Sequence, residues 1–312
     1  MRLLKPKFWD KQYLTLQSLI LYPFTFLLDL RNIITFFVKS KKYNQIKTIC
    51  VGNIYIGGTG KTPLVDFLAK NLKKKFKTVI IKKEYRNHLD EKRLLDKNNK
   101  VFFKKNRNLS LVKAINAKFN LAIFDDGLQD KSIKYDLKIV CFNAVSLAGN
   151  KLRLPSGPLR EKMSSLRKYD AVFINGNSFN KKFIRDIKKI NPNIAIFSGE
   201  YVCSNLNKYK NNNYLIFSGI GNPQSLNNTL KKSKIHFEEN FIFPDHYNYS
   251  ESEIRKLKKV AKTKKLKLLT TEKDFYRLPL RLRKNIDYLK INLRVNKIKK
   301  FNKFIKKYLW QI

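Results

Sequence analysis

The most constraining stretch of this sequence is Gly52-Asn-Ile-Tyr-Ile-Gly57-Gly58-Thr59-Gly60-Lys61-Thr62-Pro63. A β-rich run, Lys47 to Val51, precedes it. An amphipathic helical pattern follows, with Leu64, Phe67, Leu68 and Leu72 on one face. Strand, glycine loop and helix in that order are the context a phosphate-binding loop needs. Glycines let backbone N–H groups converge on phosphate oxygens, and the helix N-terminus adds its positive dipole. The expected phosphate cradle is Tyr55, Ile56, Gly57, Gly58, Thr59, Gly60, Lys61 and Thr62. Within it Lys61 reaches the β- and γ-phosphates, and the Thr62 hydroxyl ligates Mg²⁺. Tyr55 stands where such loops usually carry their first glycine, so only the Gly-Lys-Thr half of the usual pattern is present.

A second signal completes the first. Leu121-Ala-Ile-Phe124 is a short apolar strand that ends in Asp125-Asp126-Gly127-Leu-Gln129. Acids at the carboxyl end of a buried strand lie beside a phosphate loop and hold Mg²⁺ directly or through water. Adjacent residues on a strand point to opposite faces, so one of the two aspartates is expected to touch the ion. The plainer alternative is a β-turn, which Asp-Gly favours.

Strand-like runs recur near 47–51, 78–82, 121–124, 138–142, 171–174, 194–197, 214–218, 237–242, 266–270 and 287–291, with helical patterns between many of them. Ser250 and Glu253 form a capping box before the helix at 251–262. The alternation predicts parallel α/β sheets. At 312 residues the chain accommodates about two domains. The Asn- and Lys-rich stretch 204–213 is the linker candidate. The expected division is 1–42, a membrane-associated segment; 43–205, a P-loop domain; and 206–312, a second α/β domain.

Charge is extreme, with 67 Lys and Arg against 23 Asp and Glu, a formal net charge of +44. The lysines are spread over the whole length and accompany abundant Asn, Ile, Phe and Tyr, the profile of an A+T-rich coding sequence. Three readings remain open: compositional drift, a preference for anionic surfaces such as lipid headgroups, and a nucleic-acid groove. Charge alone does not identify a substrate. Three scattered cysteines exclude a disulfide framework and a zinc cluster.

Residues 13–38 are mostly apolar, yet Ser18, Thr25, Asp29, Asn32 and Lys39 fall on one side of a helix. Asp29 and Arg31 spoil a clean bilayer span, and lysines flank both ends, so a helix lying in the interface fits better than one crossing it. The tail 296–312 reads as a basic amphipathic helix that touches a membrane or packs on the first domain.

Several ordered blocks make the chain resemble the tetraacyldisaccharide 4′-kinases, the lipid A 4′-kinases of Gram-negative bacteria. They are Gly52-Asn53 with Gly57 to Pro63; Asp125 to Gln129; Leu154-Pro-Ser-Gly-Pro-Leu-Arg-Glu161; Gly219-Ile-Gly-Asn-Pro223; Asp245-His246-Tyr247; and Thr271-Glu-Lys-Asp274. The missing first glycine is itself a trait of that family. The resemblance implies two α/β/α domains, the first P-loop NTPase-like, an N-terminal membrane-associated helix and an active site in the cleft between the domains. It implies transfer of the ATP γ-phosphate to the 4′-hydroxyl of a tetraacylated disaccharide 1-phosphate, with Mg²⁺, by a monomer at the cytoplasmic face of the bacterial inner membrane. The implied partners are the lipid A disaccharide precursor and anionic lipids, with no nucleic acid. Carried over by position, Thr62, Asp125, Asp126 and Glu161 form the metal set, Asp90 is the base and His246 assists it. Around Asp90 the block reads Leu89-Asp90-Glu91-Lys92, with both neighbours changed. The Ser-Arg-Gly-Tyr-Gly block of the family is here Lys82-Lys83-Glu84-Tyr85-Arg86, and Asp130 replaces a His. Rival expectations are a P-loop ATPase that binds nucleic acid, suggested by the charge, and a non-catalytic membrane adaptor, suggested by the altered blocks.

Overall fold

The computed structural model describes residues 5–26, 39–84, 95–96, 99–176, 180–205, 208–209, 212–221, 223–245 and 247–310. Asp29, Asn32, Tyr85, Asp90, Asn222 and His246 lie outside the described residues. The chain divides into two compact units. One comprises Lys5–Glu84, Asn99–Glu200 and Val295–Ile312; the other is built on Tyr201–Arg294.

The first unit is organised by a sheet of strands β1 (Lys47–Gly52), β2 (Thr78–Lys83), β3 (Val101–Lys104), β4 (Leu121–Asp125), β5 (Leu137–Asn143), β6 (Ala171–Asn175) and β7 (Ala195–Cys203). Their spatial order is β7-β6-β5-β1-β4-β2-β3, and these neighbours pair in parallel. Parallel strands covered on both faces read as nearly unbroken apolar runs. Thr48 to Gly52 and Leu121 to Asp125 are buried throughout.

Alternate residues serve alternate faces. Val79, Ile81, Ala122 and Phe124 pack on Leu111 and Ala114 of the helix Arg107–Asn116. Val172 and Ile174 pack on Phe183 and Ile187 of the helix Lys181–Ile190. Phe173 between them turns the other way, onto Phe301 (ring centroids 5.8 Å) of the helix Ile298–Leu309. Phe197 and Phe67 also meet Phe301, at 4.9 and 6.4 Å. The tail read with 206–312 therefore packs in the P-loop unit, because its aromatic stripe finds a sheet face there.

The second unit carries a parallel sheet of β8 (Tyr214–Ser218), β9 (Phe237–Ile242), β10 (Lys267–Thr271) and β11 (Ile286–Leu289), in the order β11-β10-β8-β9. The helix Glu251–Thr263 covers one face through Ile254, Leu257 and Ala261. Leu226 and Leu230 of the helix Pro223–Lys232 pack in the cluster on Tyr214, Ile216 and Leu269. The Ser250–Glu253 capping box is formed in both directions. Ile291–Val295 forms a further strand, β12.

At the N-terminus, the expected helix over 13–38 is represented among the described residues by α1 (Leu16–Leu21), capped by the Thr15 side chain, and a 3₁₀ turn over Tyr22–Thr25. No helix among the described residues is long and apolar enough to cross a membrane.

Candidate active site

The loop after β1 is shaped by its glycines and by neighbouring side chains. Gly60 has φ +83°, left-handed backbone that glycine adopts without strain, and directly caps α2 (Lys61–Leu72). Asn53 donates through Nδ2 to the Tyr55 carbonyl, and Asn175 Nδ2 donates to the Thr59 carbonyl at 2.5 Å. The segment carrying Pro158 to Glu161 runs alongside. Ile56 N donates to Pro158 O at 2.8 Å, and Arg160 N donates to Ile54 O at 2.6 Å.

Strand register brings the acids to this loop. In β1 and β4, Val51 lies level with Asp125, so both strands end together and the loop after one meets the carboxylates after the other. Thr62 Oγ1 donates to Asp125 Oδ2 at 2.9 Å. Lys82, level with Asp125 on β2, places its Nζ 2.5 Å from the same oxygen and 3.5 Å from Thr62 Oγ1. Asp125 is fully buried, and its Oδ1 has no hydrogen-bond partner among the described residues.

Asp126 leaves the strand with φ +62° and faces a different set of cations. Its Oδ1 is 3.7 Å from Lys61 Nζ and 3.2 Å from Arg160 Nη1. Burial alone would raise this carboxyl, but Lys61 and Arg160 outweigh it and hold it below the usual carboxylate range. The two aspartates thus have different partners, as expected for neighbours at a strand end. Arg160 donates to both oxygens of Asp126. Glu161 is held by Gln129 Nε2 at 2.7 Å and by the Tyr169 hydroxyl at 2.9 Å.

The altered position Asp130 is also accounted for. It accepts from Arg107 at 3.2 Å and from the Ser132 hydroxyl, while Arg107 Nη2 donates to the Asp126 carbonyl at 2.6 Å. Asp130 therefore steadies the acidic loop through Arg107, a residue that no motif marks in the sequence.

The residues present fit a small, hard divalent ion. They offer a buried carboxylate oxygen without a partner among the described residues and an adjacent hydroxyl, a set that leaves the other positions to water and phosphate oxygens, as Mg²⁺ prefers. Among the described residues no three His, Cys, Asp or Glu side chains gather as a closed metal cluster. Cys50 and Cys141 are buried, and burial pushes both thiols up, so neither is a nucleophile.

Tyr55, in the place of the usual first glycine, ties the loop to the N-terminal segment. Its hydroxyl donates to Asp10 at 2.5 Å, and Lys5 reaches both. Farther along, Ser18 accepts from Asn150 Nδ2 at 3.0 Å and receives the Ser156 hydroxyl on its carbonyl. A Cβ at Gly149 would come within 2.2 Å of the Trp9 carbonyl, so this close approach requires glycine.

In the second unit the blocks at Gly219 and at Thr271–Asp274 converge on Asp274. Its Oδ1 accepts from Gly219 N (3.1 Å), the Tyr249 hydroxyl (3.0 Å) and Arg277 (2.8 Å); its Oδ2 accepts from Thr271 (2.6 Å). Arg277 also donates to the carbonyls of Gly219 and Tyr247. Lys273 lies 3.8 Å from Asp245. These side chains fix the loops that flank position 246.

A parallel sheet, a glycine loop capping a helix and an acid at the neighbouring strand end define a P-loop nucleotide-binding fold of the kinase class. The chain belongs to the tetraacyldisaccharide-1-P 4′-kinase family, LpxK, which it matches over residues 17–309. It is 45% identical to a tetraacyldisaccharide 4′-kinase of Pelagibacter ubique (strain HTCC1062), with 98% of each chain covered. It is 35% identical to the enzyme of the same name from Rickettsia akari (strain Hartford), over 95% of this chain and 94% of that one. A crystal structure of LpxK from Aquifex aeolicus in complex with ATP superposes with a TM-score of 0.70 at 24% identity, covering 95% of this chain and 100% of that chain, and so shares the fold.

Proposed function

We propose that this chain is an ATP-dependent lipid kinase that phosphorylates the 4′-hydroxyl of a tetraacyldisaccharide 1-phosphate, a lipid A precursor, at the cytoplasmic face of the bacterial inner membrane. Family membership supplies the reaction. The observation that carries it for these residues is the meeting of Thr62 with Asp125 and of Lys61 with Asp126 at two adjacent strand ends.

Phosphoryl transfer is largely positioning and charge neutralisation. Backbone N–H groups around Gly60 at the start of α2 cradle the phosphates, while the Ile56 and Thr59 N–H groups, bonded to Pro158 O and Gly57 O, hold the loop's shape. Lys61 and Arg160, already gathered at Asp126, oppose the charge that builds on the transferring group. Thr62 and Asp125 would hold Mg²⁺, with Asp126 and Glu161 completing its surroundings; the ion would supply positive charge against the phosphates. Asp90 accepts the proton of the sugar hydroxyl, and His246 orients that carboxylate. Liquid chromatography with mass spectrometry of the disaccharide 1-phosphate lipid after incubation with ATP and Mg²⁺ tests this. We expect one added phosphate with the wild type and at least a hundredfold less with Lys61→Ala. Near-normal turnover by the variant would sink the assignment.

The membrane reading rests on an inverted segment. Ser18 and Thr25 of the polar stripe are buried in the protein, at 0% and 7% exposure, while Leu14, Leu16, Leu19, Ile20, Phe24 and Phe26 are more than half exposed. Polar side chains held inward and apolar ones held outward suit insertion into the acyl boundary of an anionic bilayer. Replacing Leu16 and Ile20 by Glu removes two anchors of about 1.5 kcal/mol each, and vesicle flotation should fall by about a hundredfold. Unchanged flotation would overturn this placement.

A further inference from the structure

Strand β6, Ala-Val-Phe-Ile-Asn, is buried at every position, yet it ends in a carboxamide, Asn175, 2% exposed. Alternation sends Ala171, Phe173 and Asn175 to one face of the sheet. On that face Phe173 meets Phe301, which Phe67 of α2 also meets, so Asn175 lies on the side of the helix that the phosphate loop opens. Its Nδ2 donates to the Thr59 carbonyl at 2.5 Å, across 116 residues of chain. Its Oδ1 has no hydrogen-bond partner among the described residues. Asn143, level with it on β5, is different: its Oδ1 accepts from Val145 N at 2.8 Å and closes its own turn. A buried amide with one half unsatisfied costs stability, and an apolar side chain would suit the end of this strand better. What the amide gives in return is control of one peptide plane.

In the trans peptide between Thr59 and Gly60 the carbonyl and the following N–H point opposite ways. Holding the Thr59 carbonyl toward β6 therefore turns the Gly60 N–H away from β6. Gly60 has no Cβ and stands at φ +83°, where a peptide plane rotates at little steric cost, so its direction needs an anchor from outside. Thr59 N donates to Gly57 O at 2.9 Å, which ties the loop only to itself. A carbonyl turned the other way would present its oxygen to the phosphates and repel them. We propose that Asn175 is a positioning residue for the nucleotide phosphates. It holds the Thr59 carbonyl outward, so that the Gly60 N–H and the helix N-terminus behind it face the phosphate oxygens. The proposal rests on the reading of this loop as the nucleotide's phosphate site. No motif marks Asn175 in the sequence; the parallel order of the strands alone brings it to the loop.

The experiment is calorimetric titration of the full chain with ATP and, separately, with inorganic tripolyphosphate, which lacks the nucleoside. Asn175→Leu keeps the shape and removes the donor. Asn175→Ala replaces it if the leucine variant does not fold, with circular dichroism reporting the fold and its melting temperature. We expect both ligands to bind the folded variant about tenfold more weakly than the wild type, and the leucine variant to melt no lower than the wild type. In turnover, KM for ATP should rise while KM for the lipid stays unchanged. Unaltered binding of both ligands by a folded variant, whatever its melting temperature, overturns the role of Asn175 alone. So does weaker ATP binding with unaltered tripolyphosphate binding, which would place the effect at the nucleoside. ATP bound equally by the wild type and Lys61→Ala overturns the underlying reading of the loop, and the proposal with it.

Discussion

Two buried aspartates, Asp125 at the last position of β4 and Asp274 in the first turn of the helix that follows β10, stand near the carboxyl ends of parallel strands, each with a cation in contact. They differ in how completely they are satisfied. Asp274 accepts four hydrogen bonds from protein groups, and its cation is a guanidinium that also ties down two backbone carbonyls. Among the described residues Asp125 keeps one buried oxygen without a hydrogen-bond partner, and its cation sits on a long flexible arm. A saturated carboxylate organises its own protein; an unsaturated one at the same kind of strand end is prepared for something the protein does not contain. Strand-end position alone does not separate these roles. The count of satisfied lone pairs does.

The sharpest way to break this contrast is to neutralise each carboxylate in turn. Asp125→Asn should lower kcat/KM of the folded protein by at least a hundredfold, and because it strands a Lys82 ammonium as buried as Arg277 it should cost stability as well. Asp274→Asn should destabilise the fold by about 3–5 kcal/mol, because it strands a buried guanidinium, while the folded protein keeps most of its turnover. Equal losses of stability with intact activity in both would erase the distinction. A smaller effect is expected from Arg277→Lys, which keeps the charge but loses the fork that reaches Gly219 and Tyr247. About 1–2 kcal/mol of stability should go, read by urea denaturation; no measurable change would mean that Arg277 does not anchor those loops.

Much of the framework is legible in the sequence for a simple reason. Parallel strands covered on both faces are short apolar runs, and the phosphate loop and its acids carry their chemistry in contiguous residues. Thr62, Asp125 and Lys61 could be named because each sits in such a run. Other features depend on partners far away in the chain. Val101-Phe102-Phe103 is a β-favouring run of only three residues inside a Lys- and Asn-rich stretch, too short to stand out among the strand-like runs, yet it pairs with β2. Lys82 meets Asp125 only because β2 and β4 are neighbours in register, and Arg107 reaches Asp130 and the Asp126 carbonyl from another helix. The N-terminal stripe was visible as a stripe, but periodicity does not say which side faces the protein. Here Asn150 and Ser156 draw the polar side inward. The tail is amphipathic in the sequence, and only the apolar sheet face at Phe173 and Phe197 decides where its aromatic stripe goes.

The central claim is that the groups at the ends of β1 and β4 deliver phosphate to a lipid rather than to water. Incubation with γ-¹⁸O-labelled ATP, Mg²⁺ and the disaccharide 1-phosphate in mixed micelles, read by ³¹P NMR, separates the two fates directly. The account predicts a second, labelled phosphate monoester on the lipid at the 4′ position. Label found wholly in inorganic phosphate, with the lipid unchanged, would contradict it.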